Sequence, residues 1–243
     1  MTATKTASRA FSREPAHPPG RDAARVRTRA VLPEDKTERR ASILRAAADL
    51  LKHAPQGAFS VEELARRAGL AKGTVYLYFG TREEVLLAVH AERQQLLFDT
   101  LEKALASPRI DIRMVARTVT RFLRAHPEFL PLAANCRGML ETNIGGEAAL
   151  AYKQAIGARL VQIGARMEAI FPALSRGQGV GLLMASYGMM IGLWQISDPP
   201  ACLASAMERP DMRVFNVDLE KQLGAALVCL WEGATLRHEG SGL

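Results

Sequence analysis

The chain has 243 residues, a length that allows one or two domains. With 48% apolar and 23% charged residues it is neither collagen-like nor disordered throughout, and 6% aromatics beside abundant Ala and Leu favour helix over sheet. The net charge of +7 hints at a polyanionic partner, and the surplus is local: seven basic against two acidic residues in 1–31, nine against eight in 32–90, and sixteen against fifteen thereafter.

Residues 1–35 are rich in Pro, Arg and Ala without any period, and are expected to form a disordered basic arm. The start has no apolar run, which argues against a secretory signal and for a cytoplasmic protein; its Arg-rich, acid-poor character resembles transit peptides, but a basic arm is the plainer reading. From Thr37 the pattern turns helical, with Ile43, Ala47, Leu50, Leu51 and Ala54 on one face and a stop at Pro55 and Gly57. Ser60 and Glu63 form a capping box that opens a short helix through Leu64, Ala65 and Ala68, ended by Gly69. A third helix is expected over Lys72–Phe79. Thr81 and Glu84 form a second box and start a long helix carrying Val85, Leu86, Val89, Leu97 and Leu101 toward Pro108. Further helices are expected at 111–125, 127–134, 146–170, 175–197 and 217–236, with loops at 135–145 and 198–216. There is no strand alternation and no repeat. The fold class is therefore all-α: a compact bundle over 36–81 and a larger one over 82–243, joined by the helix that begins at Arg82.

The most informative stretch is Ser60–Glu84, SVEELARRAGLAKGTVYLYFGTREE. Two short amphipathic helices meet at a tight turn, the helix-turn-helix plan. Gly69 supplies the positive φ that the turn needs, Ala65 the small residue at the helix crossing, and Leu64, Ala68, Leu70 and Val75 the apolar lock. A second helix so held can lie in a major groove with its first residues toward the bases.

On those residues, the Ala65…Ala68-Gly69 turn, then Lys72-Gly73-Thr74-Val75-Tyr76-Leu77-Tyr78-Phe79 and Arg82-Glu83-Glu84, the stretch Lys36–Arg93 is similar to the TetR/AcrR family of one-component transcriptional regulators. Beyond it only the number, length and order of helices agree. The resemblance implies an all-α homodimer with three N-terminal DNA-binding helices and a variable ligand-binding, dimerising domain. It implies that Ser60 caps its helix and touches phosphate. Lys72, Gly73 and Thr74 would open the recognition helix toward bases or phosphates, Tyr76 and Tyr78 would contact phosphate, and Arg82 would bond phosphate at a helix N-terminus. Val75 and Phe79 should be core. Ala71 stands where Ser is common, removing one phosphate contact. Leu77 is apolar at an often polar site and could meet a thymine methyl or simply pack. Arg39 and Arg40 could reach the DNA backbone from the first helix, or be an ordinary solvated face. Arg25, Arg27 and Arg29 could enter a minor groove, although a solvated tail is the plainer reading.

Gly177–Ser197 carries no charge and is long enough to span a bilayer, but Gln178, Ser186, Gln195 and four glycines favour a fully buried helix. In the family the last two helices, here 175–197 and 217–236, build a four-helix dimer interface. Gly181, Ala185, Gly188 and Gly192, with Gly224, Ala225 and Ala226, would allow close contact there, or within one subunit.

Apolar side chains spread over several helices suggest an effector pocket: Phe98, Phe122, Phe129, Met139, Tyr152, Met167, Met184, Tyr187 and Trp194, with Asn135, Arg137, Glu141, Asn143 and Gln195 as polar candidates. Plain core is the competing reading of each aromatic. A ligand near Trp194 should alter intrinsic fluorescence.

Cys136, Cys202 and Cys229 show no CxxC or Cys/His cluster, so three reduced thiols are expected, with no metal and no cofactor. The five histidines are scattered and no G-x-S-x-G, HExxH or P-loop occurs, so an enzyme is not expected. The expected function is a ligand-responsive regulator, a repressor released from a palindromic operator by a small, largely apolar effector. The alternatives are an architectural, ligand-independent DNA binder, an activator, or a membrane-bound protein.

Overall fold

A computed structural model of the chain describes residues 33–54, 59–142 and 144–236. The arm with Arg25, Arg27 and Arg29 lies outside these residues, as does Asn143. All regular structure among them is helical.

Helix α1 (Pro33–His53) begins at Pro33 rather than Thr37, so three residues expected in the arm are helical; the fixed φ of proline suits a first turn. Then follow α2 (Val61–Ala68), α3 (Lys72–Tyr78), α4 (Arg82–Leu105), α5 (Ile112–Ala125), α6 (Phe129–Thr142), α7 (Gly146–Ile170) and α8 (Gln178–Ser197). Two 3-10 turns, Ala201–Leu203 and Pro210–Phe215, flank the short α9 (Ala204–Met207), and α10 (Leu219–Leu236) closes the chain. The expected loop 135–145 is helical as far as Thr142. There α6 packs on α4 and α8, and that contact outweighs the poor propensity of Asn135 and Gly138. The expected loop 198–216 contains α9 and its two flanking turns.

Two apolar cores result. One gathers Ile43, Leu44, Ala47 and Leu51 of α1, Leu64 and Ala65 of α2, Val75 of α3, and Val85, Leu86, Leu87 and Val89 of α4, with Leu132 and Cys136 of α6. The other gathers Leu97, Phe98, Leu101 and Leu105 of α4 with residues of α5–α8 and α10. The single helix α4, about 36 Å long at ~1.5 Å per residue, therefore belongs to both cores. Arg93 of α4 is anchored midway by an ion pair to Glu128, which is fully buried at the entrance to α6 (Nε–Oε1 2.6 Å). Arg159 of α7 reaches back to Asp99 and Glu102 of α4 at 2.6 and 3.1 Å.

Helices α7 and α8 cross backbone to backbone at Gly164 and Gly179, where a Cβ on Gly179 would lie 2.3 Å from the Gly164 carbonyl oxygen. Glu168 of α7 fastens the crossing, its Oε1 accepting from the N–H groups of Gly177 and Gly179 at 2.8 and 2.9 Å. A carboxylate at a helix N-terminus also suits the dipole. The expectation that α8 is fully buried is corrected. Gly179, Leu182, Leu183, Ser186 and Met190 are buried, but Gly181, Met184, Ala185, Gly188 and Ile196 are exposed. A Cβ on Gly181, Gly188 or Gly192 would meet nothing within 4 Å, so these three make no close contact in the single chain; Gly179 does. Among the described residues α8 alone is long and apolar enough to cross a membrane.

Candidate DNA-reading surface and effector cavity

The helix-turn-helix is built by local chemistry. Ser60 caps α2, its hydroxyl accepting from Glu63 N–H at 3.1 Å, and Gly69 closes it at φ 69° with its N–H turned back to Ala65 and Arg66. Leu64, Ala65 and Val75 are buried where α2 meets α3, and Phe79 is buried just beyond. The second box is closed one residue early: Thr81 accepts from Glu84 N–H at 3.1 Å, while the Glu84 carboxylate accepts from the N–H of Gly80, the residue before the cap, at 2.8 Å. It fixes the first turn of α4 directly after the recognition helix.

Burial of Val75 and Phe79 turns the rest of α3 outward. Lys72, Gly73, Tyr76 and Leu77 are exposed, Leu77 by 81%, which leaves an apolar side chain standing in water. Thr74 and Arg82 are half-buried, and Tyr78 packs on the N-terminal core. Ala71 precedes α3 without any side-chain cap. Lys72 Nζ lies 2.5 Å from Glu62 Oε1, and this hydrogen bond holds the Glu62 carboxyl below, and the Lys72 amine above, its ordinary range. Arg82 lies beside Glu83 at 3.3 Å. Arg39 is exposed on α1. Arg40 is exposed too, but its guanidinium stands 5.0 Å over the Phe79 ring, so its aim is set by the core residue that ends α3.

The second site is a cavity of about 610 Å³, within the usual range for small ligands. Six helices wall it: α4 with Gln94, Leu97, Phe98 and Leu101; α5 with Val115 and Val119; α6 with Ala133 and Cys136; α7 with Tyr152, Lys153 and Ile156; α8 with Leu183, Met184, Ser186, Tyr187 and Met190; α10 with Leu227 and Trp231. Of the expected pocket residues, Phe98, Tyr152, Met184 and Tyr187 line it. Phe122, Phe129 and Met167 are core behind the walls, Phe129 meeting Phe122 and Tyr187 edge to face. Trp194 packs against that core without reaching the cavity, since α8 has run past its end; Trp231 is the tryptophan in the wall. Asn135 is exposed and donates to the Pro131 carbonyl, and Gln195 is exposed on α8. The side chains of Met139, Arg137 and Glu141 lie outside the described ones.

Behind the wall formed by Cys136, Tyr152 and Tyr187 is a polar group that the sequence alone did not bring together. His90 of α4 is fully buried, with Nδ1 2.7 Å from the Tyr152 hydroxyl and Nε2 3.4 Å from that of Tyr187. Cys136 Sγ lies 3.4 Å from the same Tyr152 oxygen. Burial, aided by the Lys153 charge, lowers the His90 pKa to about 4, so the ring is neutral; burial likewise pushes both phenols above their ordinary range. Gln94, one turn along α4, is buried, and among the described residues its Oε1 has no hydrogen-bond partner. Trp231 Nε1–H donates to Ser186 Oγ at 2.9 Å, tying α10 to α8. The signal available in sequence was His90 and Gln94 at i and i+4 on an otherwise apolar face.

Residues 43–89 match the family model "Bacterial regulatory proteins, tetR family", and residues 91–238 match "Tetracyclin repressor-like, C-terminal domain". No curated protein matches the chain. Among solved structures, the fatty acid degradation regulator FadR from Bacillus halodurans superposes with a TM-score of 0.52 at 17% identity, over 83% of this chain and 97% of that one. A tetR-family transcriptional regulator from Streptomyces coelicolor gives 0.50 at 16%, over 82% and 83%. A protein of unknown function from Rhodococcus sp. RHA1 gives 0.50 at 19%, over 80% and 94%. At these identities the likeness is one of fold. Taken with the two sequence matches, which between them run from residue 43 to residue 238, it leads to one conclusion: the chain belongs to the TetR family of DNA-binding transcriptional regulators.

Proposed function

We propose that this protein is a cytoplasmic, homodimeric repressor that leaves a palindromic operator when a small, largely apolar effector fills the cavity. The observation that carries the reading is the double membership of α4. Its first turns share a core with α1–α3, while Gln94, Leu97, Phe98 and Leu101 wall the cavity. An occupant that moves these four side chains acts on the helix that follows directly from the DNA-reading unit. Such an effector shifts a population between DNA-competent and incompetent arrangements.

Contacts to DNA are assigned to Ser60, Lys72, Gly73, Thr74, Tyr76, Leu77, Tyr78 and Arg82, with Arg39 and Arg40 from α1. Lys72 exchanges Glu62 for phosphate on binding. The exposed, uncharged face of α8 through Gly181, Met184 and Gly188 supports a partner subunit there, together with α10. Two recognition helices would then stand about 34–36 Å apart, one helical turn of DNA.

The test is selection of random DNA by the purified full-length protein, followed by sequencing. Inverted half-sites about one turn apart are expected, and operator affinity should fall about 5–150-fold when a cavity-filling apolar compound saturates. Enrichment of no sequence, with affinity indifferent to every such compound, would instead identify an architectural DNA binder.

A further inference from the structure

We infer that the effector carries a neutral hydroxyl group on its apolar body, held between Gln94 and the His90–Tyr152–Tyr187 cluster. The inference rests on the effector-cavity reading above and adds the ligand's polar chemistry to it. Gln94 is only 6% exposed, it lines the cavity, and its Oε1 has no hydrogen-bond partner among the described residues. Burying such an acceptor unpaired is costly; Oε1 is itself covered, and a half-turn of the amide is what brings it to a partner in the cavity that Gln94 lines.

Its neighbours define that partner. A neutral imidazole has one N–H and one lone pair. Of the two tyrosine hydroxyls flanking His90, one therefore donates to the ring and the other accepts from it. When Nε2 carries the ring proton, Tyr187 is the accepting tyrosine and keeps an O–H that the ring does not use; when Nδ1 carries it, the Tyr152 proton has Cys136 Sγ, 3.4 Å away, as its acceptor. Gln94 lies one turn from His90 on the same face of α4. The pole thus presents an unused acceptor and a spare O–H, and a hydroxyl, which donates and accepts at once, matches both. A charged head fits less well. The described lining contains a single charged residue, Lys153, which is exposed and stands 5.9 Å from the Tyr152 ring at the rim.

Four probes with one apolar body separate the possibilities: 4-butylphenol, butylbenzene, 4-butylbenzoate and 4-butylbenzylammonium, titrated by calorimetry into the full-length dimer. The phenol should bind about tenfold or more tightly than butylbenzene, because a site built to bond a hydroxyl rejects the analogue that lacks it. In Gln94→Leu that ratio should collapse toward one while butylbenzene binds as well or better, and Tyr187→Phe should also reduce it. The ratio in the unaltered protein stands as a test even if a variant folds poorly. Equal affinity for phenol and butylbenzene, or a ratio unchanged in Gln94→Leu, overturns the hydroxyl assignment but leaves the cavity as an effector site. Tightest binding of the benzoate overturns it in favour of Lys153. Failure of all four to bind overturns the effector cavity itself.

Discussion

Gly179→Ala should destabilise the protein although alanine is the better helix former. The new Cβ would stand 2.3 Å from the Gly164 carbonyl oxygen and 2.7 and 2.8 Å from its C and Cα atoms. All three are backbone, so no rotamer change relieves the clash; α7 and α8 must part by about 1 Å to restore ordinary contact. Overpacking of this kind costs about 1–3 kcal/mol, and the gain from removing a helical glycine offsets at most ~1. The net expectation is a loss of about 1–2 kcal/mol, or roughly 2–8 °C in Tm for a chain of this size. Gly146→Ala, in the first turn of α7, is the internal control. Nothing lies within 4 Å of its Cβ, so it should leave Tm unchanged or raise it by a few degrees, about 0.5–1 kcal/mol. Scanning calorimetry of the two variants reads both effects. Because α7 and α8 both wall the cavity, Gly179→Ala should also weaken ligand binding. A Gly179→Ala protein that melts with or above the parent would refute the backbone crossing.

Arg82→Ala should weaken binding to all DNA sequences and flatten the slope of log affinity against log salt by about one unit; unchanged salt dependence in a filter-binding series removes Arg82 from the contact set. Gly188→Arg meets open space in the single chain and should fold, yet it should give a monomer in light scattering and lose operator affinity; a dimer of normal mass contradicts the α8 interface. A bound ligand should alter the emission of Trp231, so Trp231→Phe should remove most of the change and Trp194→Phe should leave it, the reverse of what sequence position suggested. His90 is neutral when folded and titrates near 4, against about 6.5 when unfolded. The unfolded chain therefore binds more protons between those values, and stability should fall by up to about 3 kcal/mol as pH drops from 6.5 to 4. His90→Gln should flatten that limb of the urea-midpoint profile, and an unflattened limb places the acid sensitivity elsewhere.

The DNA-reading unit was legible because its determinants are local. Ser60, Gly69, Thr81 and Glu84 act within four residues of their partners; the first three end or cap their helices as their spacing predicts, and Glu84 reaches back to Gly80 rather than to Thr81. The course of α6 was not legible. Asn135 and Gly138 read as loop, and only packing on α4 and α8 keeps them helical. The cavity was half legible for a similar reason: periodicity shows which residues turn inward, but not where along a helix a void ends. Leu183, Tyr187, Met190 and Trp194 share a stripe on α8, and the void stops before Trp194. His90 looked like a scattered histidine because its partners lie 62 and 97 residues away.

Cys136 carries a consequence for how such a protein can diverge. It belongs to the buried core under the DNA-reading helices and also forms part of the cavity wall. A mutation there cannot retune the ligand without disturbing the packing beneath α1 and α4. The walls supplied by α5 and α10 contribute only to the other core. Lineages acquiring new effectors should therefore accumulate their changes at Val115, Val119 and Leu227, leaving the wall formed by α6 nearly fixed. Under the proposed function, the α5 and α10 walls are thus the part of the cavity that can change without touching the packing beneath α1–α3.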